Sequence, residues 1–81
     1  MSKKIRIAVV DDSAFMRKAI ENMVSGEDDI EIVATGVNGE EAVAIAANQK
    51  PDVMTLDIEM PKMDGLTALQ KIMKDNPMPI I

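Results

Sequence analysis

Three short apolar runs alternate with helical patterns along the chain, and this alternation most restricts the folds that it can adopt. The runs are rich in Val and Ile and occupy residues 5–10, 30–35 and 53–56. Nearly continuous apolar runs of this length are typical of strands that are covered on both faces of a parallel sheet. Each run is followed by apolar residues spaced as on one face of a helix. The pattern therefore predicts an α/β fold with a parallel sheet and right-handed crossovers.

Capping residues mark the beginnings of the predicted helices. Ser13 is expected to cap the first helix, and Asn38 the second, where Glu41 three positions later completes a capping box. The third helix is predicted from an apolar stripe made by Leu66, Leu69, Ile72 and Met73. Residues 79–81 then predict the start of a fourth strand.

The apolar positions of these elements define a candidate core. It contains Phe15, the only aromatic residue, and Met16, Met23, Met54 and Met73. We therefore expect an aliphatic core in which flexible Met side chains fill the gaps.

Composition and charge exclude several classes of function. The 81 residues suffice for one domain at most, and 14 acidic against 9 basic residues give a net charge of −5. An acidic surface repels phosphate backbones, so we expect no nucleic-acid partner. The absence of Cys and His excludes disulfides, imidazole bases and His/Cys zinc sites within these residues. No apolar run approaches the ~18 residues of a membrane span, so we expect a cytoplasmic protein without membrane insertion.

Three carboxylates follow two of the predicted strands. Asp11 and Asp12 come directly after the first strand, and Asp57 follows the third. Ligands bind open parallel sheets at the carboxyl ends of the strands, so neighbouring strands would bring these side chains into one crevice. Their mutual repulsion would be relieved by a hard divalent cation, and a ligand set of oxygens alone favours Mg²⁺ or Mn²⁺ over Zn²⁺.

The alternative is that these Asp residues serve only as helix caps or turn residues. For Asp11 and Asp12 considered alone, a capping role explains the sequence as well as a metal site does. It is weaker for Asp57, which is followed by an apolar residue and not by the start of a helix. The shared position of all three at predicted strand ends favours a site for a metal and a phosphoryl group.

Three segments, VVDDSAFMRKAI, NGEEA and KPDVMTLDIEMPKMDGLTAL, resemble the receivers of two-component response regulators. Residues 13–17 and 56–61 are particularly similar to the N-terminal receiver of the chemotaxis protein-glutamate methylesterases. The resemblance extends over nearly the whole chain. The acidic pair together with the D-x-x-M-P-x-M-D-G block is highly specific for receivers.

This resemblance implies a role for each candidate site residue. Asp57 would be the phosphoacceptor that attacks a phosphohistidine of a chemotaxis-type sensor histidine kinase, or a small phosphodonor. Asp12 would be the main direct ligand of Mg²⁺, and Asp11 would act partly through water. The backbone carbonyl of Glu59 would be a further protein ligand.

The resemblance also implies how the chain is organised. Pro61 and Gly65 would shape the loop that leads into the third helix. The fold would be an incomplete flavodoxin-like receiver with strand order 2-1-3 and a stub of the fourth strand beside the third. Residues 1–81 would form the N-terminal two-thirds of one receiver domain, with no second domain. The methylesterase domain is not included, so the chain is not expected to be an enzyme.

Two behaviours follow from this interpretation. In the family a Ser/Thr after the fourth strand and a Lys after the fifth act on the phosphoryl group, and both would lie beyond residue 81. Phosphoryl acceptance by these residues alone is therefore expected to be impaired. The alternative is a fold fragment without a signalling role, which self-associates as a homodimer or larger oligomer through an exposed edge of the sheet.

Overall fold

A computed structural model of the chain describes residues 4–57 and 63–81. Strands and helices alternate as β1 (Ile5–Val10), α1 (Ala14–Val24), β2 (Ile30–Gly36), α2 (Gly39–Asn48), β3 (Val53–Leu56) and α3 (Gly65–Asp75). The predicted α/β class and order of elements are confirmed. None of the helices in these two ranges is long and apolar enough to cross a membrane.

β1 is the central strand of a parallel sheet with the order β2-β1-β3. Its last residue, Val10, lies beside Gly36 of β2 and beside Leu56 of β3. The register with β2 shifts between Ile7 and Ala8, where the pairing is irregular. Because β1 and β3 end level with each other, the residues that follow them leave the sheet at neighbouring points of one edge.

Residues 79–81 continue the sheet on the far side of β3. The Met54 N–H donates to the carbonyl of Pro79 over 3.1 Å, and the Ile81 N–H donates to the carbonyl of Met54 over 2.9 Å. The strand order 2-1-3 with a fourth-strand stub is therefore confirmed. The sequence predicts an exposed sheet edge at β3. Residues 79–81 pair with that edge and satisfy several of its backbone N–H and carbonyl groups.

Helices cover both faces of the sheet. The connection from β1 to β2 and the connection from β2 back across β1 to β3 run in opposite directions along the sheet. Right-handed connections therefore place α1 on one face and α2 on the other. The α2 face carries the main core, in which α3 packs against α2. That core consists of Ala8, Val10, Ala42, Ala46, Met54, Ala68 and Ile72. The small Ala side chains allow the helices to approach the sheet closely.

The other face is less well covered. α1 has no buried residue, and Phe15 is 79% exposed. Of the residues predicted for the core, only Met54 is fully buried. The prediction is wrong for four exposed side chains, namely Phe15, Met16 and Met23 on α1 and Met73 on α3. Periodicity identifies an apolar stripe on a helix, but it does not show how many other elements lie against that stripe.

We expect Met54→Ala to lower the free energy of unfolding by about 2–5 kcal/mol, since it removes a fully buried side chain between the sheet and two helices. Met23→Ala is the matched control, because Met23 is 71% exposed, and it should change stability by less than about 0.5 kcal/mol. Urea unfolding followed by circular dichroism measures both. Equal losses in the two variants would contradict the assignment of the core.

Candidate functional site

The structure brings Asp11, Asp12 and Asp57 together at the carboxyl edge of the sheet. Each offers one carboxylate oxygen, and these three oxygens lie within 4.8 Å of one another. Asp11 and Asp57 are half-buried and Asp12 is exposed. The Asp57 N–H donates to the carbonyl of Val10 over 3.0 Å, so β3 remains bonded to β1 up to this residue. The convergence follows directly from the pairing of the two strands.

The loop after β1 is held by several bonds to Asp11. Its N–H donates to the carbonyl of Gly36 over 3.0 Å, and one of its carboxylate oxygens accepts the Ser13 N–H over 2.9 Å. The Ser13 hydroxyl oxygen accepts the Met16 N–H over 3.2 Å, so Ser13 caps α1 as predicted. The cap of this helix is thus Ser13 and not the acidic pair, although Asp11 also stabilises the turn.

Arg17 is a neighbour of the site that the sequence analysis did not identify. Its guanidinium Nη1 donates to the backbone carbonyl of Asp11 over 2.6 Å. Arg17 lies one helical turn after Ser13, and its N–H donates to the Ser13 carbonyl. That spacing is the only signal in the sequence that places Arg17 on the side of α1 facing the acidic cluster. The guanidinium thus ties the loop that carries Asp11 and Asp12 to α1.

The loop after Asp57 is described only at its end. Glu59 and Pro61, predicted as a carbonyl ligand and a loop-shaping residue, lie outside the described residues. Gly65 is buried and is the first residue of α3. Asp64 caps this helix by accepting the Thr67 N–H over 2.7 Å. That backbone hydrogen bond, supported by the Thr67 side chain, lowers the pKa of the Asp64 carboxyl below its ordinary value of 3.8.

The donor set suits a hard divalent cation. Three carboxylates whose oxygens lie this close repel one another, and a bound cation would remove that repulsion. Mg²⁺ prefers a few protein oxygens and keeps several waters. The partial exposure of all three residues leaves one side of the cluster open to solvent. The arrangement therefore fits Mg²⁺ together with an incoming anionic group.

Comparisons with known proteins agree on one family. The family described as the response regulator receiver domain matches residues 7–81. A protein-glutamate methylesterase/protein-glutamine glutaminase of Caldanaerobacter subterraneus subsp. tengcongensis is 54% identical over 100% of this chain and 22% of its own length. A protein of the same name from Halalkalibacterium halodurans is 51% identical over 100% of this chain and 23% of that protein's length. The chain thus spans about a fifth of the curated relatives that it matches.

Solved structures show the same fold. The response regulator domain of Thermotoga maritima CheB superimposes with a TM-score of 0.93 at 45% identity, covering 96% of this chain and 58% of that one. The CheX-CheY-BeF3-Mg complex of Borrelia burgdorferi contains a chain with a TM-score of 0.88 at 38% identity, covering 96% of this chain and 60% of that one.

The Asp64 cap predicts a specific dependence of stability on pH. A carboxyl whose pKa is lower in the folded state stabilises that state above its unfolded pKa, and this contribution is lost as pH falls through the folded pKa. We therefore expect the unmodified chain to be more stable than Asp64→Asn at neutral pH, with the difference shrinking below about pH 3.8. Thermal unfolding of both proteins between pH 7 and pH 3 measures this difference in stability. A difference that stays constant over this range would contradict the role of the charge.

Proposed function

Because the chain belongs to the response regulator receiver domain family, we propose that it acts in cytoplasmic two-component signal transduction by accepting a phosphoryl group on Asp57. The matches confirm the resemblance inferred from the sequence, including the particular similarity to the methylesterase receivers. The matched region is the receiver and not the catalytic part of those relatives. The prediction that this chain is not itself an enzyme is therefore confirmed.

One observation carries the proposal. Asp57 ends the strand next to β1, and its carboxylate lies within 4.8 Å of two further carboxylates at the edge where parallel sheets bind ligands. A helix cap would not require that clustering. Ser13 and Asp64 already cap the helices that follow β1 and β3.

The proposed reaction is a displacement at phosphorus. A carboxylate oxygen of Asp57 attacks the phosphorus atom in line with the leaving group and forms a new P–O bond. The bond to the donor breaks at the same centre, and its electron pair leaves with the donor. For a phosphohistidine the donor is an imidazole nitrogen, and for an acyl phosphate it is a carboxylate oxygen. Arg17 and Ser13 hold the β1–α1 loop in place beside this reaction.

We propose Asp12 as the main direct ligand of Mg²⁺, with Asp57 and the backbone carbonyl of Glu59 as further ligands and Asp11 acting partly through water. When bound, Mg²⁺ would neutralise charge on the oxygens of the transferring phosphoryl group. Mn²⁺ satisfies the same oxygen ligands. The similarity to a chain of the CheX-CheY-BeF3-Mg complex supports this assignment, since beryllium fluoride resembles a phosphoryl group in shape and charge.

The proposed donor in the cell is a sensor histidine kinase of the chemotaxis type. The similarity to methylesterase receivers supports this partner. Neither the comparisons nor the described part of the chain supports self-association as its main behaviour. The expectation that residues 1–81 form two-thirds of one receiver, and that they alone accept a phosphoryl group poorly, stays a prediction.

Incubation of the chain with Mg²⁺ and an acyl phosphate should add the mass of one phosphoryl group, which intact-mass spectrometry detects. Asp57→Asn should abolish the adduct, because an amide cannot serve as the nucleophile. Asp28→Asn is the matched control, since Asp28 is an exposed residue away from the acidic cluster. An adduct that survives Asp57→Asn would rule out Asp57 as the acceptor.

Mg²⁺ binding tests the site without requiring phosphoryl transfer. Asp12→Asn should weaken the affinity by about tenfold or more, because loss even of groups that only orient the ligands commonly costs that much. Asp28→Asn should leave it unchanged. Isothermal titration calorimetry at constant ionic strength measures all three proteins. Equal affinities for the Asp12→Asn and Asp28→Asn variants would contradict the proposed ligand.

A further inference from the structure

A backbone contact joins the start of α2 to the segment that precedes α3. The Gly39 N–H donates to the carbonyl of Met63 over 3.0 Å. Gly39 is the buried first residue of α2, and its N–H is one of the groups that a helix leaves without an internal partner. The Met63 carbonyl supplies that partner.

The contact requires glycine at position 39. A β-carbon there would lie 2.8 Å from the Met63 β-carbon and 2.9 Å from its carbonyl carbon, and closer still to the carbonyl oxygen. Two of these are backbone atoms, so rotation of the Met63 side chain cannot relieve the clash. A side chain at position 39 must therefore displace either α2 or the backbone of Met63.

The start of α2 is the less movable of the two. The Asn38 side chain is buried and accepts the Glu41 N–H over 2.8 Å, while Glu41 Oε1 accepts the Val37 N–H over 2.8 Å. Asn38 therefore caps the helix as predicted, but Glu41 does not complete the predicted capping box, because it accepts the N–H of Val37 and not that of Asn38. Together the two bonds fix the direction in which the chain enters the helix. The displacement should therefore fall mainly on Met63.

Residues 36–39, which end β2 and begin α2, also contact the backbone of the acidic cluster. The Gly36 carbonyl accepts the Asp11 N–H over 3.0 Å, and Gly39 binds Met63 only three residues later. Met63 packs its side chain against the main core. Residues 36–39 thus connect the backbone of the β1–α1 loop to the point where the chain returns after Asp57.

We propose that Gly39 is a positioning residue for the phosphoacceptor site. By binding the Met63 carbonyl, it fixes where the chain that leaves the sheet at Asp57 returns to α3, three residues from the Gly36 carbonyl that binds the Asp11 N–H. Gly39 touches neither the metal nor the phosphoryl group. This inference rests on the proposed function, because it concerns the same site.

Gly39→Ala tests the inference, with Gly26→Ala as the matched control. A β-carbon at Gly26 meets nothing within 4 Å, so that variant should keep the Mg²⁺ affinity of the unmodified chain. Gly39→Ala should weaken Mg²⁺ binding by about tenfold, the usual effect of losing a group that orients metal ligands. Calorimetry gives the affinities, and dispersed amide spectra show that each variant is folded. A folded Gly39→Ala variant with unchanged affinity would overturn the inference.

Amide spectra recorded without metal separate this inference from the proposed function. In Gly39→Ala the amide shifts of Asp57 and Asp12 should change as well as those of residues 36–42 and Met63. Changes confined to residues 36–42 and Met63 would show a merely structural role and overturn the inference. Absence of Mg²⁺ binding by the unmodified chain would instead count against the proposed function.

Hydrogen exchange in the unmodified chain covers the case in which Gly39→Ala does not fold. If the Gly39–Met63 bond favours Mg²⁺ binding, then Mg²⁺ must strengthen that bond by the same factor. Saturating Mg²⁺ should therefore protect the Gly39 amide more than the Gln49 amide at the other end of α2, which donates to the Ile45 carbonyl. Equal gains at both amides would indicate only general stabilisation and would overturn the inference.

Discussion

The parallel pairing of β1 with β3 is the constraint on which the rest of the structure depends. With Val10 beside Leu56, the residues that follow both strands emerge side by side. That register places three carboxylates on one small crevice, and a shift of one residue would reverse the direction of every side chain on the shifted strand. The register is specified by burial, because Ala8 and Val10 must face the α2 and α3 core while Val9 faces α1.

Local chemistry explains what the sequence could predict. The strands are short β-branched runs, and the caps at Ser13 and Asn38 depend on residues no more than three positions away. The gathering of Asp11, Asp12 and Asp57 required one more step, namely that neighbouring parallel strands end at the same edge. The resemblance to receivers supplied the roles of these residues, which composition and periodicity alone left open.

What the sequence could not predict lies in contacts between distant segments. Phe15 has the periodicity of a core residue, yet it is exposed, because the pattern of one helix does not reveal what packs against it. The Arg17 contact to the Asp11 carbonyl depends on the path of a loop. The bond from Gly39 to Met63 involves only backbone atoms, so neither residue carries a side-chain signal for it.

The hydrogen bond from the Asp57 N–H to the Val10 carbonyl has a consequence for the entropy of the proposed reaction. It extends the ladder between β1 and β3 to the proposed nucleophile, so the backbone of Asp57 is already ordered before any donor would arrive. Alignment of the carboxylate with phosphorus therefore involves the two side-chain torsions and not the backbone. Ordering the backbone of one residue costs roughly 1–2 kcal/mol of free energy. At Asp57 this ordering takes place during folding and not during the reaction. The backbone of the proposed acceptor is thus preorganised for the reaction.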